Sequence, residues 1–292
     1  MNNSNPSNNS RFPIRELSAR TQVNTVTLRA WERRYGLLQP ERTLKGHRLY
    51  SVADVATIER VLSLVARGVP LSKVKPLLMA SMPLDAQQQG TDSWQGLVAE
   101  LIAAIELFSV TKVEHLLKQT LANYPVPVCR ERWLEPVFAE LTLRKDYGAA
   151  LGFAESELMR YACLRLKSRS RSNQRPTSVT LIVGKQTPIW RLALLALELD
   201  DAKFSVCLLH RDFSLAAGIE LAWQWPDAYT VFYQDGIWNS QEQAQAGSAL
   251  LENKRLFMCG TAPGLMQTDY QERVFTELKG CLDSLYKKHL AG

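Results

Sequence analysis

The spacing of apolar residues changes period once along this 292-residue chain, and that change limits the architecture more than any other feature. Up to about residue 167, apolar side chains recur every three or four positions, the period of helices packed on one face. From residue 179 on, short runs of β-formers alternate with helical stretches: 179–183 then 189–199, 204–209 then 216–223, 229–233 then 241–251, and 256–259 then 270–290. Short apolar strands separated by helices imply parallel strands covered on both faces. The chain therefore reads as mostly α with an α/β C-terminal domain, a small doubly wound sheet of Rossmann-like or flavodoxin-like type. A fifth strand has no evident place in the pattern. At roughly 100–200 residues per domain, the length allows two domains, or three if one is small.

Charge is distributed as unevenly as period. The whole chain holds 35 Lys/Arg and 29 Asp/Glu, a formal net charge of +6. Residues 1–80 hold 13 basic and 5 acidic residues, which leaves 22 basic and 24 acidic residues for the remainder. One small segment thus carries the whole excess, as expected of a polyanion-binding module joined to a near-neutral partner. Within it, 13–20 reads as a short helix with Pro13 in its first turn. After the break Thr21-Gln22-Val23, Asn24 is an N-cap for a helix over 25–35 that ends at Gly36. Helix, tight turn, helix is the geometry that seats a second helix in the DNA major groove. Leu28, Trp31 and Tyr35 form the inner face of that helix, with Trp31 read as core with an exposed edge, and Arg29, Arg33 and Arg34 fall largely on the other side. Residues 37–50 (LLQPERTLKGHRLY), with Pro40 and Gly46, predict a hairpin bearing Arg42, Lys45, His47 and Arg48. Ser51 caps the next helix, whose stripe Val52, Val55, Ile58, Leu62 and Val65 ends near Gly68, and a last helix covers 71–78.

Residues 94–167 read as four amphipathic helices with short joins, a four-helix bundle. Glu155 and Glu157, two apart, do not share a helix face and are read as solvated rather than as an acid/base pair. The polar stretch 81–93 and the basic, Ser-rich stretch within 167–177 (KSRSRSNQRPT) read as linkers. The expected organisation is a disordered tail at 1–10, a winged head at 11–80, a linker at 81–93, the bundle at 94–167, a linker at 168–176 and the α/β domain at 177–292. The five cysteines (Cys129, Cys163, Cys207, Cys259, Cys281) are scattered and form no CxxC, the usage of reduced core thiols in a cytoplasm. The longest plain apolar stretch, 192–197, is far short of the roughly 18–20 residues of a membrane helix, and no membrane role is expected.

The run Val23-Asn24-Thr25-Val26-Thr27-Leu28-Arg29-Ala30-Trp31-Glu32-Arg33-Arg34-Tyr35-Gly36-Leu37, followed by Pro40, Arg42, Gly46, Arg48 and Tyr50, resembles the MerR-type winged helix-turn-helix over the whole of 11–80. By that resemblance, Arg29, Arg48 and Tyr50 grip phosphates, and residues around Thr25 and Arg33 face base edges. The DNA-binding set expected on this basis is Asn24, Thr25, Thr27, Arg29, Trp31, Arg33, Arg34, Arg42, Lys45, His47, Arg48 and Tyr50. Trp31 stands where many relatives carry Tyr. The resemblance implies a homodimer on a palindromic double-stranded promoter site, with RNA polymerase as partner if it activates by distorting an over-long spacer.

Bundle followed by doubly wound domain resembles, in architecture, the cobalamin photoreceptor regulators. Those proteins supply a cobalt-binding histidine from (D/E)xHxxG after the first strand. Here the region reads Gln186-Thr187-Pro188-Ile189-Trp190-Arg191, with Pro188 at the ligand and Arg191 at the glycine. Asp146, Ser156 and Glu157 align with the Trp and Glu-His that cover the cofactor in that family. Proline has no donor nitrogen, so no cofactor and no histidine-ligated cobalamin is expected, and the chain is more similar to the curli and biofilm activator branch. Gly184-Lys185 lacks both GxxxxGK[ST] and GxGxxG, which excludes nucleotide binding by those loops. Trp190, Trp223, Trp225 and Trp238 fit either core or a planar-ligand pocket, and His210 reads as a loop residue. No Ser/His/Asp, Cys/His or metal constellation is present, so no enzyme is expected. The leading expectation is a dimeric transcriptional activator with an unidentified small-molecule or protein effector. A repressor, a corrinoid carrier with a DNA-binding head, and an architectural DNA binder are the alternatives.

Overall fold

The computed structural model describes residues 11–79, 91–144, 148–169, 177–185, 187–266 and 269–291. The tail at 1–10, Asp146, and the linker stretches 81–90 and 170–176 lie outside the described residues. The chain divides into two compact units, Met1–Ala154 and Glu155–Gly292, where three segments were expected.

In the first unit, strand β1 (Phe12–Pro13) leads into helix α1 (Ile14–Thr21), so Pro13 ends a strand instead of opening the helix. Gln22 takes a left-handed φ of 56° and turns the chain into helix α2 (Thr25–Ala30). The helix expected to run to residue 35 changes winding: Trp31–Tyr35 is a π-helical turn, stopped by Gly36 at φ 58°. A wider turn of this kind shifts the facing of the residues within it and recurs at functional sites. Strands β2 (Glu41–Arg42) and β3 (Arg48–Tyr50) form the expected hairpin, and β1 pairs with β3 to make a three-stranded antiparallel sheet in the order β1-β3-β2. Helix α3 (Val52–Ala66) starts from a complete capping box, in which Ser51 and Asp54 satisfy each other's backbone N–H groups. Helix α4 (Leu71–Met79) follows.

Helix α5 (Thr91–Glu106) begins inside the stretch expected to be a linker. Helix α6 (Val110–Asn123) comes next, and then a rod made of α7 (Val126–Cys129), a second π-helical turn (Arg130–Leu134) and α8 (Glu135–Leu143). The buried side chains Leu101, Ile105, Leu116, Leu121, Trp133 and Val137 follow the apolar spacing of the sequence. The fourth rod, α9 (Gly148–Arg169), crosses the boundary between the two units.

The second unit contains β4 (Ser178–Gly184), α10 (Ile189–Asp201), β5 (Ser205–Phe213), α11 (Leu215–Gln224), β6 (Tyr229–Tyr233), α12 (Ser240–Glu252) and β7 (Leu256–Cys259). A short helix α13 (Thr261–Gly264), strand β8 (Val274–Phe275) and helix α14 (Leu278–Ala291) complete it. The five strands are all parallel, in the order β5-β4-β6-β7-β8. That is the doubly wound order of flavodoxin-like sheets, whose switch point lies between β4 and β6. The fifth strand is β8, inside the stretch expected as one helix over 270–290. Alternation along β4 builds both cores: Val179, Leu181 and Val183 join Leu192, Leu195 and Leu285 on one face, and Ile182 joins Phe232, Leu250 and Met258 on the other.

Candidate nucleic-acid interface

Local chemistry positions α2. The Asn24 side chain accepts from Val26 N at 3.0 Å, and its carbonyl accepts from Leu28 N at 3.0 Å, so one residue both caps and starts the helix. Leu28 and Trp31 are fully buried and seat the helix on its unit. Val26, Arg29 and Arg33 stand on the outward side, and the Arg29 and Arg33 side chains make no hydrogen bond or ion pair among the described residues.

The wing is shaped by its turn. Thr43 N donates to His47 O at 2.9 Å, Gly46 N to Thr43 O at 2.8 Å and His47 N to Thr43 Oγ1 at 3.0 Å, with Gly46 at φ 80°, a conformation that favours glycine. Leu44, Lys45 and His47 project from this tip into solvent, with Leu44 as exposed as an isolated residue. At the wing base, Arg48 Nε donates to Glu32 Oε2 at 2.7 Å and to Oε1 at 3.0 Å, and Arg42 Nη2 lies 3.7 Å from the same carboxylate. Glu32 lies in the π-helical turn, so one carboxylate ties the wing to the end of α2. The bond to Glu32 pushes the Arg48 guanidinium pKa above its ordinary value and keeps that residue cationic. Arg11 bonds Glu41 on β2, holding the strand bearing Arg42 from its other side.

Four residues expected to meet DNA lie indoors. Asn24 and Thr27 are each 4% exposed, and Trp31 and Tyr50 are 0% exposed. Asn24 is consumed by capping, and Thr27 and Trp31 lie on the inner face of α2, which the amphipathic pattern hid by placing them beside exposed arginines. The Tyr50 hydroxyl has no hydrogen-bond partner among the described residues, and burial pushes its pKa up to about 12. Arg34 extends from the outer surface, but its Nη1 donates to Asn123 Oδ1 at 2.9 Å. The residues presented outward are therefore Thr25, Arg29, Arg33, Arg42, Lys45, His47 and, partly, Arg48. Sequence reasoning missed Glu32 as the wing anchor, although a lone acid in an arginine run was a signal. It also missed Asn123, which no local pattern marks.

In the second unit the residues beyond the carboxyl ends of β4 and β6 bond to one another. Arg191 Nη1 donates to Tyr233 OH at 3.0 Å and lies 3.8 Å from Asp235 Oδ2. Thr187 Oγ1 donates to Tyr233 O at 3.1 Å, and Asp235 Oδ1 accepts from Thr261 N at 3.0 Å. A Cβ on Gly184 would lie 2.6 Å from the Gln234 Cβ, and one on Gly260, at φ 111°, would lie 2.2 Å from Gln234 O. Glu155, expected to be solvated, is partly buried and accepts from the backbone N–H groups of Ile189 and Trp190, the first turn of α10. Burial pushes its carboxyl pKa up, and those two bonds act in the opposite direction. Glu157, also expected in solvent, is 8% exposed and pairs with Arg160. Ser156 is exposed, and Pro188 precedes α10 with φ −63°. A corrinoid held through histidine does not fit these residues: Pro188 offers no nitrogen, Arg191 is committed to Tyr233, and Glu155 already satisfies the start of α10. Trp190 and Trp238 are core, whereas Trp223 and Trp225 are 45% and 38% exposed. Among the described residues, no group of three or more His, Cys, Asp or Glu is placed to hold a metal ion, and no helix is long and apolar enough to cross a membrane.

Comparison with known proteins places these features. Residues 12–81 match the model described as MerR HTH family regulatory protein, so the segment with the capped α2 and the wing is a MerR HTH domain. The chain is 32% identical over 158 residues to the HTH-type transcriptional regulator MlrA of Salmonella typhimurium, covering 54% of this chain and 63% of that protein. It is 29% identical over 137 residues to the HTH-type transcriptional repressor CarH of Myxococcus xanthus, covering 43% of this chain and 45% of that one. The match thus spans about two thirds or less of each relative. A solved structure, the monomethylamine corrinoid protein of Methanosarcina barkeri, superposes with a TM-score of 0.45 at 14% identity, over 68% of this chain and 99% of that one.

Proposed function

We propose that this MerR-type chain is a sequence-specific DNA-binding transcription regulator acting in the cytoplasm as a homodimeric activator. The observation that carries the reading is one surface: Arg29 and Arg33 point outward from a capped second helix, and Glu32 ties the arginines of the adjacent wing to that same helix. Phosphate contacts from the wing supply most of the affinity and make it salt-dependent, while Thr25, Arg29 and Arg33 reach base edges. Two such heads, one per protomer, occupy successive major grooves and distort the promoter spacer so that RNA polymerase engages both elements. The likeness to MlrA supports regulation of transcription. The likeness to CarH favours repression as the second reading.

The role is non-catalytic. The α/β unit has a doubly wound scaffold with Pro188 at the start of α10 and Arg191 bonded to Tyr233, so it works without histidine-ligated cobalamin and serves effector binding or assembly. Genome-wide mapping of bound sites beside the transcriptome of a deletion strain tests the proposal. Discrete bound promoters whose transcripts fall in the deletion are the expected result. Transcripts that rise instead select the repressor, and binding spread without discrete sites contradicts both.

A further inference from the structure

Asn123, at the end of α6, makes two contacts to the DNA-reading helix from 89 and 92 residues away in sequence. Its carbonyl accepts from Trp31 Nε1 at 2.8 Å, and its side-chain Oδ1 accepts from Arg34 Nη1 at 2.9 Å. The remaining donor, Nδ2, is spent on Gln119 O at 2.9 Å, one turn back along α6. Both polar atoms of that side-chain amide are therefore engaged, which fixes its orientation, and Asn123 is 7% exposed. Both partners lie in the π-helical turn Trp31–Tyr35, the part of the helix whose winding departs from the rest. The next residue, Tyr124, receives the backbone N–H of Leu71 at the start of α4, and its ring packs on Trp94 at 4.8 Å. Trp94 Nε1 in turn donates to Val65 O at 3.1 Å, near the end of α3.

We propose that Asn123 and Arg34 form a lock that sets the orientation of α2, so that Arg34 is a positioning residue and not a DNA contact. This rests on the reading of α2 as the DNA-reading helix. The bond from Nη1 to the buried Asn123 amide pins one edge of the Arg34 guanidinium toward α6, which limits how far its remaining N–H groups can swing to a phosphate. Arg29 and Arg33, on the outer side, have no such commitment. The lock also gives the helical rods a handle on the head: any movement of the end of α6 is transmitted to the π-helical turn through two hydrogen bonds and a fully buried indole.

The test uses the full chain, a duplex that the wild type enriches from random sequence, and three variants: Arg34→Ala, Asn123→Ala and the double variant. Each single variant is expected to bind the enriched duplex about tenfold more weakly, the size of one lost charge-assisted hydrogen bond. The double variant is expected to lose no more than either alone, because both remove one interaction. The slope of log Kd against log salt stays at the wild-type value, and amides of residues 31–37 exchange faster with solvent. A slope reduced by about one in Arg34→Ala, with additive losses, overturns the proposal and makes Arg34 a phosphate contact. Unchanged affinity and exchange in Asn123→Ala overturn it as well. If Asn123→Ala fails to fold, the surface variant Arg34→Ala decides alone, on its slope and exchange. A wild type that enriches no sequence removes the DNA-binding reading, and the exchange rates then decide the lock by themselves.

Discussion

Glu32 is the sole acid between Val23 and Arg34, and the structure shows why a negative charge sits in that cationic stretch. Its carboxylate, 14% exposed, gathers Arg48 and Arg42 from the wing. This partly buried ion pair fixes where the two wing cations stand. Arg48→Ala is expected to weaken binding to every duplex, enriched or random, and to lower the salt slope by about one. Titration against salt checks it, and an unchanged slope would take Arg48 out of the interface. Glu155 supplies a test in the other unit. Its folded-state pKa is raised, so the native state favours the protonated form. The stability it contributes is present below the unfolded carboxyl value of about 4.3 and is lost as pH rises through the folded value. Glu155→Gln keeps the shape without that charge. It is expected to be more stable than the parent at neutral pH, with the gap closing toward about pH 4, as read by urea denaturation.

At the scale of elements, two helical glycines show how packing decides. A Cβ on Gly218 in α11 would lie 2.4 Å from the Phe232 ring, and one on Gly247 in α12 would meet nothing within 4 Å. Gly218→Ala is expected to destabilise by about 1–3 kcal/mol through overpacking. Gly247→Ala is expected to stabilise by up to about 1 kcal/mol through helix propensity. Thermal melts of the two variants should shift in opposite directions. The same contrast explains what the sequence revealed. Asn24 and Ser51 were legible as caps because capping is local chemistry between residues two or three apart. The strands β4, β6 and β7 were legible because burial on both faces demands unbroken apolar runs. Strand β8 was hidden, since two residues whose pairing comes only from β7 leave no pattern. The π-helical turn was hidden as well, because its residues keep ordinary helical composition while the winding changes. Asn123 could not be found from a motif: its role exists only once α6 and α2 are brought together.

At the scale of the molecule, a cationic MerR HTH head shares a unit with helical rods, and a near-neutral doubly wound unit follows. The second unit has a doubly wound strand order, and Pro188 and Arg191 offer no nitrogen to hold a corrinoid's cobalt as a histidine would. Protein mixed with hydroxocobalamin and passed over a desalting column is expected to emerge without visible absorbance. A coloured protein fraction would contradict the account of those residues. Footprinting on a promoter drawn from genome-wide mapping is the most direct test of the DNA-reading head. One discrete palindromic protected segment, unaffected by excess random duplex and lost in Arg29→Ala with Arg33→Ala, is the expected result. Uniform protection, or protection abolished equally by random duplex, would contradict it.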